Sequence, residues 1–330
     1  MTLRTNRSGS TPTDDTTAPV ARDLSFAALG VTVLLWASAF VGIRAIGDTY
    51  SPGALSLGRL AVAALALSAF LVGRSVIGRR TASDGTVGGG TVAGGRWEPI
   101  PRGRTLWQIV GYGVLWFGAY NVALNAGEQH VDAGTAAMLI QLGPIIIAVI
   151  AGILLGEGFP RTLVLGLAVS FSGVTLIALG GEGASNDLVG VLLCVLAAVL
   201  YAAGVLLQKP VMGTVSPLLV TWLGCVIGVV TCLPFVGQLV AETQDASAGA
   251  ILGVVYLGLG PTALAFTTWA YALRRVGAGP ASATTYLVPA IAIGLSWLLL
   301  DEVPTALGLV GGTLCLVGVA ITRMRRRVRS

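Results

Sequence analysis

The sequence predicts an all-α integral membrane protein: ten transmembrane helices arranged as two inverted five-helix repeats around a central cavity. Three observations carry that prediction. Only 11% of the 330 residues are charged and 55% are hydrophobic, with a mean hydropathy of +0.84, whereas soluble domains carry roughly 25% charge. Apolar runs long enough to cross a hydrocarbon core, roughly 17–25 residues each, recur ten times along the chain. The second half of the chain also aligns with the first.

In order, the runs cover residues 25–45, 52–73, 105–126, 133–156, 161–180, 187–208, 216–236, 248–272, 278–300 and 304–323. The stretch before them, residues 1–24, is Thr- and Asp-rich with no apolar core, which predicts a disordered tail and not a cleavable signal peptide. Residues 74–104 contain DGTVGGGTVAGG and read as a flexible loop. They lack GxxxxGK[ST], so the glycines do not indicate phosphate binding. Runs four and five, and runs nine and ten, are joined so tightly that each pair forms a helical hairpin. Residues 324–330 form a basic tail that anchors topology and is attracted to anionic lipid.

Basic residues set the orientation. If the N-terminal tail defines one side, eighteen of the twenty Lys and Arg fall on that side; Arg44 lies on the other and Arg59 inside the second helix. The positive-inside rule then places both termini in the cytoplasm, in a multi-pass protein of the cell membrane. The net charge of +5 is this bias and not a nucleic-acid footprint. The four cysteines (Cys194, Cys225, Cys232 and Cys315) lie inside apolar runs with neither CxxC nor metal spacing, which predicts inert thiols and no metal or other cofactor.

The repeat is gap-free between VDAGTAAMLIQLGPIIIAVIAGILLGE (131–157) and VGAGPASATTYLVPAIAIGLSWLLLDE (276–302), at an offset of 145. It pairs Pro144 with Pro289, Glu157 with Glu302, Gly166 with Gly311 and Gly173 with Gly318. Upstream, LWASAFVGIR (35–44) matches LYAAGVLLQK (200–209) at an offset of 165, pairing Trp36 with Tyr201, Arg44 with Lys209 and Ser51-Pro52 with Ser216-Pro217. Five helices per repeat is an odd number, so the two copies face opposite ways. Inverted repeats of this kind are a signature of alternating-access carriers, with the site near the midplane. Pro144 follows Gln141, and Pro289 follows Tyr286, at the same spacing. A proline frees a carbonyl and bends a helix where backbone lines a cavity or is buried by neighbours, so Pro144 and Pro289 are candidate bends in a gating element.

These residues resemble a known family. YLGLGPTALAFTTWAYALRRVGAGPASATTYLVPAIAIGLSWLLLDEVPTALGLVGGTLCLVGVAIT (256–322) is similar to the second repeat of EamA-type carriers in the drug/metabolite transporter superfamily. LLWASAFVGIR with LSLGRLAVAALAL is similar to the start of the first repeat. The likeness covers nearly all of residues 25–323. It implies ten helices around a central cavity, cytoplasmic termini, and export of amino acids or other small metabolites. Helix one departs from the pattern, with Trp-Ala-Ser where the family often has Trp-Gly, and the 74–104 loop is a local addition.

The chemistry expected of such a carrier falls on few side chains. Asn121, Asn125 and Glu128 share a face of helix three; they line a pathway or act as interhelical glue. Asn121, near mid-helix, is the cavity candidate, while Glu128 and His130 are expected at a solvated interface. Trp36, Tyr120, Gln141, Tyr201, Trp269 and Tyr286 are further candidates for the wall, with packing or the interfacial aromatic belt as the alternative. Arg59, seven residues after Pro52, snorkels outward, or pairs inside and attracts an anionic group. The resemblance, in which Arg is frequent at this position, implies a functional or gating role. Glu157 and Glu302 suit the positive N-terminal ends of the helices that follow; with Glu128 they are the carboxylates available for proton coupling. The expected partners are a small-molecule solute, the lipid bilayer and a second copy in a homodimer; GxxxG spacings such as Gly152/Gly156 suit close helix approach and, in a chain with 46 glycines, do not themselves mark a dimer interface. No HExxH, clustered carboxylates or ATP-binding domain supports a membrane-embedded enzyme, and the short tails offer no output domain for a receptor.

Overall fold

The computed structural model describes residues 18–83, 98–154, 161–179, 184–276, 284–302 and 304–323. All regular structure among them is helical. The first half contains α1 (Ala18–Ile46), α2 (Pro52–Ser83), α3 (Arg104–Tyr112), α4 (Tyr120–Gly127), α5 (Ala133–Ile140), α6 (Gly143–Leu154) and α7 (Arg161–Leu179). The second contains α8 (Ala184–Gln208), α9 (Pro217–Cys232), α10 (Val236–Asp245), α11 (Ala248–Leu257), α12 (Ala265–Val276), α13 (Leu287–Leu300) and α14 (Ala306–Arg323). Five helices are long and apolar enough to cross a membrane, and four shorter apolar ones accompany them. With the rod formed by α3 and α4, ten apolar helical rods stand among the described residues. Large apolar side chains such as Leu65, Phe171, Trp297 and Leu298 point outward, as expected where the surrounding solvent is lipid.

Several boundaries differ from the sequence expectation. Helix α1 begins at Ala18, inside the stretch expected to be a tail, and α2 continues to Ser83, past the residue 74 expected to open a loop. The seventh pass runs through a 3₁₀ turn, Leu233–Phe235, into α10. The Gly-rich segment at 84–97, the basic tail at 324–330 and Glu157 lie outside the described residues.

Helix starts follow from their first residues. Proline has no N–H to lose and a preset φ, so it suits a first turn; Pro52 and Pro217 open α2 and α9. Ser216 and Ser247 cap α9 and α11, and Asp132 caps α5 by accepting from the Thr135 N–H at 2.8 Å and from its hydroxyl at 2.6 Å. The Ser51 and Ser216 N–H groups, which precede the two prolines, each donate to a glutamate from the opposite half. Ser51 donates to Glu242 at 2.9 Å and Ser216 to Glu98 at 3.0 Å.

The same exchange runs through the whole fold. Helix α1 packs on α12 and α13, and its counterpart α8 packs on α4 and on α5 and α6; α2 and α9 pack on each other, as do α7 and α14. In the last pair a Cβ on Gly173 would collide with the Gly311 backbone, and one on Gly318 with Gly166. The two sites are interchanged by the 145-residue offset, and a partner number that falls as the other rises means the helices run antiparallel. Only glycine permits this backbone-to-backbone approach.

Candidate functional site

Both broken passes are broken in the same way. Between α5 and α6 the chain takes a turn at Gln141–Leu142, where N–H groups reach back only three residues: Gln141 to Met138 at 3.2 Å and Leu142 to Leu139 at 3.1 Å. Pro144 then sits in the first turn of α6, where its missing N–H costs nothing. The corresponding turn at Thr285–Tyr286 precedes Pro289 in α13. The two breaks meet: Gln141 Nε2 donates to the Thr285 carbonyl at 2.6 Å. Neither proline lies on the cavity wall; each instead opens the helix beyond a break.

Two π-helical segments form a second symmetric pair. Gly113–Ala119 joins α3 to α4, and Gly258–Leu264 joins α11 to α12, each seven residues long and again 145 positions apart. A π turn leaves carbonyls without their usual donors. In the first, Asn121 Nδ2 donates to the Phe117 carbonyl at 2.8 Å and the Trp116 carbonyl at 3.4 Å. In the second, Pro261 cannot donate to the Leu257 carbonyl four residues back, and the Thr262 hydroxyl does so instead at 2.8 Å. The Thr262 oxygen then accepts from Arg59 Nη2 at 3.2 Å and Nε at 3.3 Å. Neither segment was legible in the sequence, although Pro261 within an apolar run was a signal that could have marked the second.

Between the halves lies a cavity with about 820 Å³ of empty space, its open mouth included. The first half contributes Trp36, Arg59, Trp116, Tyr120, Asn121 and Gln141, and the second Tyr201, Pro261, Thr262, Phe266 and Thr285. The rings form a linked wall. Trp116 lies edge-on to Tyr201 and Phe266 at centroid separations of 4.9 and 5.3 Å, and Phe266 lies edge-on to Trp36 at 5.5 Å.

Of the side chains expected at the wall, Trp36, Tyr120, Asn121, Gln141 and Tyr201 line it, and Trp269 and Tyr286 do not. Trp269 stands behind Trp36, ring centroids 5.2 Å apart, and Tyr286 packs beside Ile145 and Val319. Trp269 lies nearly a full turn, about 4.5 Å, further along α12 than the lining Phe266, and Tyr286 belongs to the turn itself, packed toward Ile145 and Val319. Asn125 serves as interhelical glue, donating to Ser56 Oγ at 2.9 Å and to the Pro52 carbonyl at 3.2 Å.

The acidic residues correct one expectation. Glu128 is not at a solvated interface: it is 1% exposed, and neither carboxylate oxygen accepts a hydrogen bond from the described residues. It follows the last residue of α4, a helix packed between α2 and α8, a placement that a linear count of helix length cannot show. Glu302 takes a different role. Asp301, in the left-handed region at φ 54°, turns the chain after α13, and Glu302 Oε1 then accepts from Arg44 Nε at 2.9 Å. Arg44 Nη1 also donates to the Glu128 carbonyl at 3.0 Å. One guanidinium thus ties together the ends of α1, α4 and α13.

The fold and site define a multi-pass membrane protein with a cavity between its two halves. The chain belongs to the EamA-like transporter family of the drug/metabolite transporter superfamily, which it matches twice, over residues 25–179 and 188–324. It is 35% identical over 298 residues to a probable terminal-alkyne amino-acid exporter of Streptantibioticus cattleyicolor, covering 90% of this chain and 93% of that one. It is 33% identical over 294 residues to a Bacillus subtilis protein named as the uncharacterized transporter YdfC, covering 88% of each. A solved crystal structure with 18% identity superposes over 94% of this chain and 98% of its own at a TM-score of 0.56, a likeness of fold.

Proposed function

We propose that this protein is a secondary carrier that exports small organic metabolites, amino acids or related compounds, by alternating access. The observation that carries the reading is the cavity: aromatic and polar side chains from both halves converge on it beside two helix breaks that touch through Gln141 and Thr285. Its site lies between inverted repeats, where one half rocking on the other alternates access. The likeness to a probable amino-acid exporter supports both the solute class and the direction. Both termini lie in the cytoplasm, from the distribution of basic residues. Uptake or uniport by the same fold is the alternative.

Coupling to protons falls to Glu128. A carboxylate buried without hydrogen bonds is stable only when protonated or compensated by nearby charge, and Glu128 lies within the electrostatic reach of Arg59 and Arg44. Glu302 is already paired with Arg44.

Mass spectrometry of culture medium tests the reading, comparing cells that express wild type, the Trp36→Ala/Asn121→Leu double variant or empty vector, with matched membrane levels. A solute enriched outside only with wild type is the expected result. Media identical across the three lines, with wild type instead accumulating solute inside, overturn export in favour of uptake.

A further inference from the structure

The cavity contains a cation that the protein leaves incompletely partnered. Arg59 is 5% exposed and lines the cavity wall. Its described protein acceptor is the Thr262 hydroxyl, engaged through Nε and Nη2; the remaining guanidinium donors have no acceptor among the described residues. Among those residues the only salt bridge is Arg44–Glu302, so no described carboxylate comes within contact distance of Arg59. Glu128 acts on it only at longer range.

A guanidinium in this state is costly unless an acceptor completes it. Its planar fork matches a carboxylate through two parallel hydrogen bonds. The chain has also oriented the fork: Pro261 frees the Leu257 carbonyl, Thr262 takes it, and Thr262 thereby turns its oxygen toward Arg59. Around this polar corner the wall is Trp36, Phe40, Leu124, Ile140 and Phe266, which suits an apolar remainder. Asn121 commits its amide nitrogen to backbone carbonyls, leaving its Oδ1 as an acceptor for an ammonium group.

We propose that Arg59 is the carboxylate anchor of the solute site, with Thr262 as its positioning residue, and that the cavity selects small carboxylates bearing an apolar chain. The inference rests on this cavity being the solute site of the proposed carrier.

The test uses the purified full-length protein in detergent and thermal-shift titration with matched pairs: L-norleucine against L-norleucinamide, and hexanoate against hexanamide. Carboxylates raise the melting temperature of wild type and the amides do not. Arg59→Gln weakens the carboxylate response about tenfold or more, while Arg59→Lys retains the preference for carboxylate over amide at reduced affinity. Thr262→Val weakens binding while leaving that preference intact. Amides binding as well as carboxylates, an unchanged response in Arg59→Gln, or no response of wild type to either carboxylate overturns the proposal. Should Arg59→Gln not fold, the wild-type contrast and Arg59→Lys decide. Carboxylate binding without export from cells removes the exporter reading and leaves the anchor standing; export of uncharged solutes alone does the reverse.

Discussion

At the scale of single residues, side chains that look alike in sequence divide by what they touch. Asn121 and Asn125 are one turn apart, yet the first faces the cavity and the second is held by Ser56 across to α2. Replacing Asn125 by Leu removes the bonds to Ser56 Oγ and the Pro52 carbonyl, while Ser56 keeps its own donation to that carbonyl at 2.7 Å, and lowers stability by about 1 kcal/mol, read as a lower melting temperature in detergent. Asn121→Leu gives up its bonds to the Phe117 and Trp116 carbonyls and reduces solute flux in vesicles, which Asn125→Leu does not. Equal flux in both variants would contradict the division. Arg44 and Glu302 give a second case. Both are about 30% exposed, so the pair adds little to stability, but it joins the ends of α1, α4 and α13. Arg44→Glu should change transport more than melting temperature, and Arg44→Glu with Glu302→Arg should restore transport in part; no recovery in the double variant would dismiss the ion pair as a functional tie.

At the scale of elements, two devices are set by the backbone. The α7–α14 contact depends on Gly173 and Gly311 meeting Gly311 and Gly173 main chain. Gly173→Leu should overpack it at about 1–3 kcal/mol, with a fall in melting temperature and in membrane yield, whereas Gly30→Leu, where a Cβ meets nothing within 4 Å, should change neither. The π segments are the other device. Each adds a residue to one turn, and so re-aims the helix beyond it by about 100° relative to an unbroken helix. Deleting Val114 from Gly113–Ala119 would restore an α register and rotate Tyr120 and Asn121 away from the cavity. The expected outcome is a folded protein without transport, checked by the melting profile and vesicle flux on the same preparation.

At the scale of the whole molecule, the contacts are exchanged by the repeat: α1 on α12 corresponds to α8 on α4, and Ser51–Glu242 to Ser216–Glu98. The proposed orientation makes a direct prediction from one pair of repeat mates. Thr49 and Thr214 are both exposed and occupy equivalent turns, so they should open to opposite sides of the membrane. Thr49→Cys should react with an impermeant maleimide from outside intact cells, and Thr214→Cys only after permeabilisation. The four native cysteines are buried and give little background. Labelling of both from the same side would rule out inverted halves.

The sequence by itself determined the all-helical membrane class, the ten passes and the two-fold pairing of residues, because hydropathy and self-alignment are linear properties. The solvent imposes length and apolarity on each helix wherever it sits. It also revealed that Pro144 and Pro289 mark equivalent interruptions. It could not show that these interruptions touch through Gln141, since a contact spanning 144 positions depends on how helices cross. Nor could it show the π segments, whose single extra residue leaves no hydropathy trace but sets the direction in which Asn121 and Phe266 face. Glu128 is the plainest case. Counting along helix three puts it at a wet end, and the packing around α4, with α2 and α8 against it, buries it. Burial is a property of neighbours, and only the tertiary structure supplies them.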